Sequence, residues 1–176
     1  MSLNTSADFY AAVRAVHDFP AQGVVFRDIT PLLGDRRLFR QAVLAMAAPF
    51  RDAGVSKVVG IESRGFLLGA PIALELNAGM VPIRKSGKLP RASRRVEYTL
   101  EYGTAALEVH TDAINAGERV LIVDDVLATG GTAAAACEAV SGGGGEVVGL
   151  SFLIEIRDLG GRRQLAGRRV EVLLGY

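Results

Sequence analysis

The sequence predicts an α/β fold: a doubly wound, mostly parallel sheet flanked by helices, with a small hood and an inserted β-hairpin lid. Three observations carry that expectation. Apolar runs such as Val120-Leu121-Ile122-Val123 and Val58-Val59-Gly60-Ile61 have the unbroken hydrophobicity of strands buried on both faces. Each of these runs passes through a short polar turn directly into a helix-forming stretch, Gly65 to about Asn77 in one case and Ala133 to Val140 in the other. Between them, Val96–His110 alternates apolar and polar residues around Gly103, as the two arms of a hairpin do.

Length and composition bound the function. At 176 residues, with 49% hydrophobic side chains and 21 glycines, the chain suits one domain (1–176) with a substantial core and many tight turns. A formal net charge of +1 argues against bulk attraction to nucleic acid or to an anionic membrane, so any basic site is local. The single cysteine, Cys137, excludes an intrachain disulfide and a cysteine-cluster metal site. There is no basic-then-apolar leader and no apolar run long enough to span a bilayer, so a cytoplasmic location is expected.

The hood is expected from residues 1 to about 34. Within it, 5–18 read as one amphipathic helix: Ser6 as N-cap, Phe9, Val13 and Val16 on one face, His17 at a solvated end, and Pro20 as the stop. Residues 19–34, punctuated by Pro20, Gly23, Pro31 and Gly34, read as a loop around an extended Val24-Val25-Phe26. A second helix is predicted over 35–53, capped by Asp35 and ended by Gly54, with Leu38, Phe39, Ala42, Val43 and Met46 as its apolar stripe. A β–α–β unit follows from Lys57, its second strand at Val81-Pro82-Ile83. The lid hairpin occupies about 86–110. After the helix at 133–140, Glu146–Ile156 reads as a buried strand, 157–167 as an irregular polar segment, and Val170–Leu174 as a last strand.

The chemistry concentrates at strand ends. Asp124 and Asp125 follow the apolar run, at the edge where open α/β sheets bind ligands. Ala128 through Thr132 then supply two glycines flanked by threonines, running into a helix N-terminus. Glycines let backbone N–H groups approach an anion, the helix dipole favours it, and the Thr129 and Thr132 hydroxyls add donors. The lysine of a nucleotide P-loop is absent, as is a G-x-G-x-x-G dinucleotide turn. An acidic pair beside a phosphate cradle suits a sugar phosphate, with hydroxyls held by Asp124 and Asp125 and the 5′-phosphate by Thr129, Gly130, Gly131 and Thr132. Gly131 is expected to leave room for the phosphate's approach. Glu62-Ser63-Arg64-Gly65 offers a second anion turn, and residues 84–95 carry six basic side chains: Arg84, Lys85, Lys88, Arg91, Arg94 and Arg95. That segment lacks interleaved aromatics for base stacking, which disfavours RNA.

The stretch Val120–Thr132 resembles the phosphoribosyl-pyrophosphate motif of type I phosphoribosyltransferases. Gly23-Val24-Val25-Phe26-Arg27-Asp28 resembles the base-binding segment of the adenine phosphoribosyltransferases. The resemblance is nearly full-length and also covers 60–66 and 82–103. It implies a purine salvage transferase that joins adenine to phosphoribosyl pyrophosphate, giving AMP and pyrophosphate. Mg²⁺ is implied bound with the substrate rather than in a protein cage, and the assembly is implied to be a homodimer. By the same resemblance Ser63, Arg64, Arg84, Lys85 and Lys88 meet pyrophosphate, and Glu101, beside Tyr102 in a mobile loop, is the proposed proton-transfer residue. Leu159 helps close the base pocket. The Val25 carbonyl and Arg27 N–H match adenine's donor and acceptor while Phe26 stacks on the ring. Two alternatives stay open: a relative acting on hypoxanthine or xanthine, and a phosphoribosyl-pyrophosphate-sensing regulator that binds nucleic acid.

Overall fold

The computed structural model describes residues 6–99 and 103–176. Its centre is a seven-stranded sheet. In chain order these strands are β3 (Lys57–Ile61), β4 (Gly79–Lys85), β5 (Ser93–Thr99), β6 (Thr104–His110), β7 (Arg119–Leu127), β8 (Glu146–Glu155) and β9 (Val170–Gly175). Across the sheet the order is β5-β6-β4-β3-β7-β8-β9. The five strands from β4 to β9 are mutually parallel, while β6 runs antiparallel to β4, and β5 to β6. A parallel sheet with a hairpin continuing one edge is the architecture expected from the sequence.

Period-two alternation sends neighbouring residues of β3 and β7 into two separate cores. Val58, Leu121 and Val123 pack with the helices α3 (Arg36–Ala47) and α4 (Arg64–Glu75). Val59, Ile61, Val120 and Ile122 pack on the other face with the helix α5 (Gly131–Gly142) and the hairpin's Val96, Leu107 and Val109. Val120 through Val123 are all 0% exposed. Removing four such side chains from water contributes on the order of 6–12 kcal/mol gross. That is enough to anchor a strand whose next two residues are carboxylates.

The N-terminal region departs from expectation. Helix α1 covers only Ser6–Ala11, and the chain then forms the strand β1 (Arg14–His17), antiparallel to β2 (Val25–Asp28). Phe9 and Val13 are buried as the helical stripe required, at 6% and 7% exposure. Beyond them, cross-strand pairing of Arg14–His17 with Val25–Asp28 competes successfully with a further turn of helix. The Asp18 carboxylate helps hold the intervening turn by accepting the Gly23 N–H at 2.7 Å. A short helix α2 (Thr30–Gly34) also occupies part of the predicted loop. Asp28 starts that turn, its carboxylate accepting the Thr30 N–H and hydroxyl, both at 2.9 Å. Asp35 caps α3 as expected, accepting from the Arg37 and Leu38 amides. The helix stops at Ala47, where a 3₁₀ turn through Pro49 replaces the predicted continuation to residue 53.

Candidate active site

The carboxyl edge of the parallel strands opens into a cleft of about 1150 Å³. Three segments predicted from the sequence meet there. Gly23 through Arg27 of the hood form one wall, Glu62-Ser63-Arg64 another, and Asp124, Asp125, Ala128 and Thr132 lie along β7 and the loop after it. Leu159 also lines the cleft from a 3₁₀ turn (Arg157–Leu159) and is 47% exposed. A smaller cavity of about 70 Å³ sits beside it, bordered by Asp124, Ala128, Thr129, Gly130 and Thr132.

The acidic pair lies inside β7 rather than after it, since the ladder with β8 continues to Leu127 paired with Glu155. Asp125 is buried at 5% exposure and its Oδ2 lies 2.8 Å from Arg64 Nε. This oxygen makes no hydrogen bond, so the contact is between charges and out of line with the N–H. Burial pushes the carboxyl of Asp124 well above its ordinary range, and the neighbouring Asp125 charge adds to the effect. Asp125 is raised as well, by burial, against the pull of Arg64. Asp125 is buried, Asp124 is half-buried, and a single cation, Arg64, faces the pair, so the site is short of positive charge.

Arg64 opens α4 and touches both halves of the cleft. Its guanidinium carbon stands 4.9 Å from the centre of the Phe26 ring, while Nε faces Asp125. The preceding Glu62–Ser63 peptide is cis. Gly65 lets this turn press against β7: a Cβ there would lie 2.8 Å from the Val123 carbonyl oxygen and 2.9 Å from Asp124 Oδ1. Only glycine permits that approach.

The loop before α5 has the features of an anion cradle. Gly130 takes the left-handed conformation, φ +89°, and no side chain caps the first amides of the helix. Thr129 and Gly130 border the small cavity, but Gly131 does not. Its absent Cβ faces the lid strand instead, 3.4 Å from the Thr99 carbonyl oxygen. The residue that requires glycine is therefore Gly130. A Cβ at Gly130 would collide with the Gly161 carbonyl, so the cradle is packed against the second 3₁₀ turn (Gly161–Leu165).

The basic segment divides. Lys85 and Ser86 line the cleft. Arg84 is held by Glu62, with Nε and Nη2 each 3.3 Å from its carboxylate oxygens, and Glu62 also accepts the Lys85 N–H at 2.9 Å. Burial pushes the Glu62 carboxyl up, but the Lys85 amide and the Arg84 guanidinium outweigh it and hold the group below its ordinary value. Lys88 is exposed and borders neither cavity; its carbonyl accepts from Arg84 at 3.0 Å. A turn at Ser86-Gly87, with Gly87 at φ +78°, separates it from Lys85. Arg91 pairs with Asp112 and Arg95 with Glu97, both exposed. Glu101 and Tyr102 lie outside the described residues.

Several cleft residues were not anticipated: Ser86, Tyr98, Ala105–Leu107, Ile156, Asp158 and Tyr176. The hairpin residues carried a signal, since a lid must face what it covers. Tyr176 carried none: it reaches the cleft only because β9 runs beside β8, where its ring lies 4.0 Å beneath the Arg27 guanidinium. Among the described residues no three His, Cys, Asp or Glu side chains gather as a metal site.

Residues 37–166 match the phosphoribosyl transferase domain family. An adenine phosphoribosyltransferase of Myxococcus xanthus is 58% identical over 170 residues, covering 97% of this chain and 92% of that protein. The crystal structure of adenine phosphoribosyltransferase from Rhodothermus marinus superposes with a TM-score of 0.94 at 51% identity, covering 97% of this chain and 98% of that one. The enzyme from Saccharomyces cerevisiae, solved with adenine and an imino-altritol bisphosphate, superposes with a TM-score of 0.90 at 37% identity, covering 96% and 98%. The chain belongs to the adenine phosphoribosyltransferase family.

Proposed function

We propose that this cleft transfers the 5-phosphoribosyl group from phosphoribosyl pyrophosphate to adenine, a purine salvage reaction that gives AMP and pyrophosphate. The observation that carries the reading is the convergence on one cleft of a base-sized wall, an acidic pair and a helix-terminal cradle. Adenine lies against Val25, Phe26 and Arg27, where backbone groups read its edge and the Phe26 ring stacks on it. The related yeast enzyme, solved with adenine, supports a base site in this fold. The ribose hydroxyls meet Asp124 and Asp125, and the 5′-phosphate occupies the small cavity at Thr129, Gly130 and Thr132.

In the reaction the bond from ribose C1 to the pyrophosphate oxygen breaks, and adenine N9 bonds to C1 from the opposite face. Negative charge grows on the leaving oxygens, where Lys85 and Arg64 stand ready to stabilise it. Arg64 must leave Asp125 to do so. The N9 proton passes to a base; the lid carries Glu101 for this role, and such transfer contributes about 10²–10⁴-fold. Closure of the β5–β6 hairpin excludes water from the cationic sugar. The chain's own groups fit Mg²⁺ carried by the substrate: Asp125 Oδ2 is buried without a hydrogen bond, and Asp124 borders both cavities. When bound, the ion neutralises pyrophosphate charge.

A homodimer is supported by the apolar stripe Leu67, Ala70 and Leu74 exposed on α4, with Leu74 83% exposed. The buried, unpaired thiol of Cys137 suits a reducing cytoplasm. A base-competition assay with phosphoribosyl pyrophosphate tests the function. Adenine should be used in preference to hypoxanthine, whose reversed donor and acceptor leave two buried groups mispaired, each costing about 1–3 kcal/mol. Equal use of both bases would overturn the adenine assignment.

A further inference from the structure

Glu108 lies on β6, inside the lid hairpin, and only 8% of it is exposed. Its cross-strand neighbours are both arginines, Arg84 on β4 and Arg95 on β5. Neither is its partner: Arg84 goes to Glu62 and Arg95 to Glu97. The carboxylate turns instead to the segment that leaves β4. Oε1 accepts the Ser86 hydroxyl at 2.6 Å, and Oε2 accepts the Gly87 N–H at 3.0 Å. Ser86 is fixed a second time by its own N–H, donated to the Ala106 carbonyl at 3.1 Å. These two bonds are the main reason the Glu108 carboxyl stays below its ordinary value, with a smaller pull from the Arg95 charge.

We propose that Glu108 is a positioning residue, a latch between the lid and the Arg84–Lys88 turn that aims Lys85 at the leaving pyrophosphate. Lys85 is clamped from both sides, by Glu62 on its own amide and by Glu108 on the next two residues. With its backbone held, Lys85 lines the cleft, whereas Lys88, beyond Gly87, is exposed and does not. The same carboxylate sits on the strand that brings Ala105–Leu107 to the cleft. The carboxylate therefore ties the lid strand to the pyrophosphate end of the cleft. This inference rests on the phosphoribosyltransferase reading.

The test uses Glu108→Ala, Glu108→Gln and Ser86→Ala in the full chain. Alanine removes both acceptors; glutamine keeps one, its carbonyl taking the Gly87 N–H, while its amide replaces the other by donating to Ser86 Oγ. Misplacing a substrate-facing cation by an ångström costs up to about 100-fold. Glu108→Ala should therefore raise KM for phosphoribosyl pyrophosphate, and for pyrophosphate in the reverse direction, about 10- to 100-fold, with KM for adenine changed less than about 2-fold. Glu108→Gln should recover most of the loss and Ser86→Ala should fall between. Hydrogen exchange of the Gly87 amide, followed by NMR without substrate, should lose protection in Glu108→Ala and keep it in Glu108→Gln. Ser86→Ala carries the kinetic test if Glu108→Ala does not fold. Parallel rises in both KM values, or lost Gly87 protection with unchanged pyrophosphate KM, would overturn the positioning role. A wild type inactive with adenine and phosphoribosyl pyrophosphate would instead sink the functional reading, leaving Gly87 exchange to decide the latch.

Discussion

Replacing Gly130 by alanine should damage this protein far more than the same change one residue later. At Gly130 the backbone is left-handed, φ +89°, a region that costs an L-residue about 1–2 kcal/mol. The new Cβ would also meet the Gly161 carbonyl oxygen at well under contact distance, with the carbonyl carbon at 3.1 Å and Gln164 Cβ at 3.0 Å. Two of these three atoms are backbone, so no side chain can swing aside. Overpacking of this kind adds about 1–3 kcal/mol. The combined penalty, about 2–5 kcal/mol, is a large share of the 5–15 kcal/mol that holds a typical domain together. The chain can relieve it only by moving the cradle away from the 161–165 turn.

At Gly131 neither strain is present. That residue is the first of α5, and its Cβ would find ordinary contacts, 3.4 Å to the Thr99 carbonyl oxygen and 3.6 Å to Tyr98 Cδ2. Thermal melts and KM for phosphoribosyl pyrophosphate measured on both variants make the comparison. Gly130→Ala should lower Tm by about 5–15 °C and raise KM by about 100-fold, whereas Gly131→Ala should change KM less than about 3-fold. Comparable losses in the two variants would refute the argument. They would return the phosphate-approach role to Gly131.

Asp124→Asn should trade function for stability: the native state of the wild type binds a proton at Asp124 more tightly than the unfolded chain does, so its stability falls as pH rises from the ordinary aspartate range through the raised native value. The variant should melt above wild type near pH 8, the gap should close toward about pH 3, and phosphoribosyl pyrophosphate should bind more weakly; a melting gap independent of pH would count against this. Phe26→Ala removes a ring that meets both Phe19, centroid to centroid at 5.3 Å, and the Arg64 guanidinium. It should raise KM for adenine about 10-fold and also perturb the sugar substrate, while Val25→Ala leaves base preference nearly intact; the reverse pattern would place selectivity in the Val25 side chain. Glu62→Gln frees Arg84 and loosens Lys85, so KM for pyrophosphate should rise about 10-fold. The stability that Glu62 contributes is present above the ordinary glutamate pKa and lost as pH falls through its depressed native value, so wild type and variant should melt together in acid.

What the sequence shows and hides follows from the range of the forces involved. The run Val120–Val123 announces a strand buried on both faces because each residue's burial depends on periodicity alone, and Asp35 announces a cap because the N–H groups it accepts from lie within three residues. Residues 14–17 fit a helical stripe locally and become strand only through the partner strand Val25–Asp28 beyond the turn. The orientation of Lys85 and Lys88 depends on Glu62 and Glu108, each about twenty residues distant. Which of two adjacent glycines is indispensable depends on a carbonyl thirty residues further on.

Arg64 shows most clearly why a site is harder to read than a fold. Its residue type and its place in a strand-to-helix turn both mark it as an anion ligand. In the folded chain the anion it meets is Asp125. Asp125 and Asp124, both raised by burial, gain from that cation, which offsets part of their negative charge. A sugar pyrophosphate then offers Arg64 a stronger anion and leaves the two carboxylates without their cation. They can stay ionised only if the ligand supplies positive charge or hydroxyl donors in its place. Ribose hydroxyls and a substrate-borne divalent ion are what such an exchange requires.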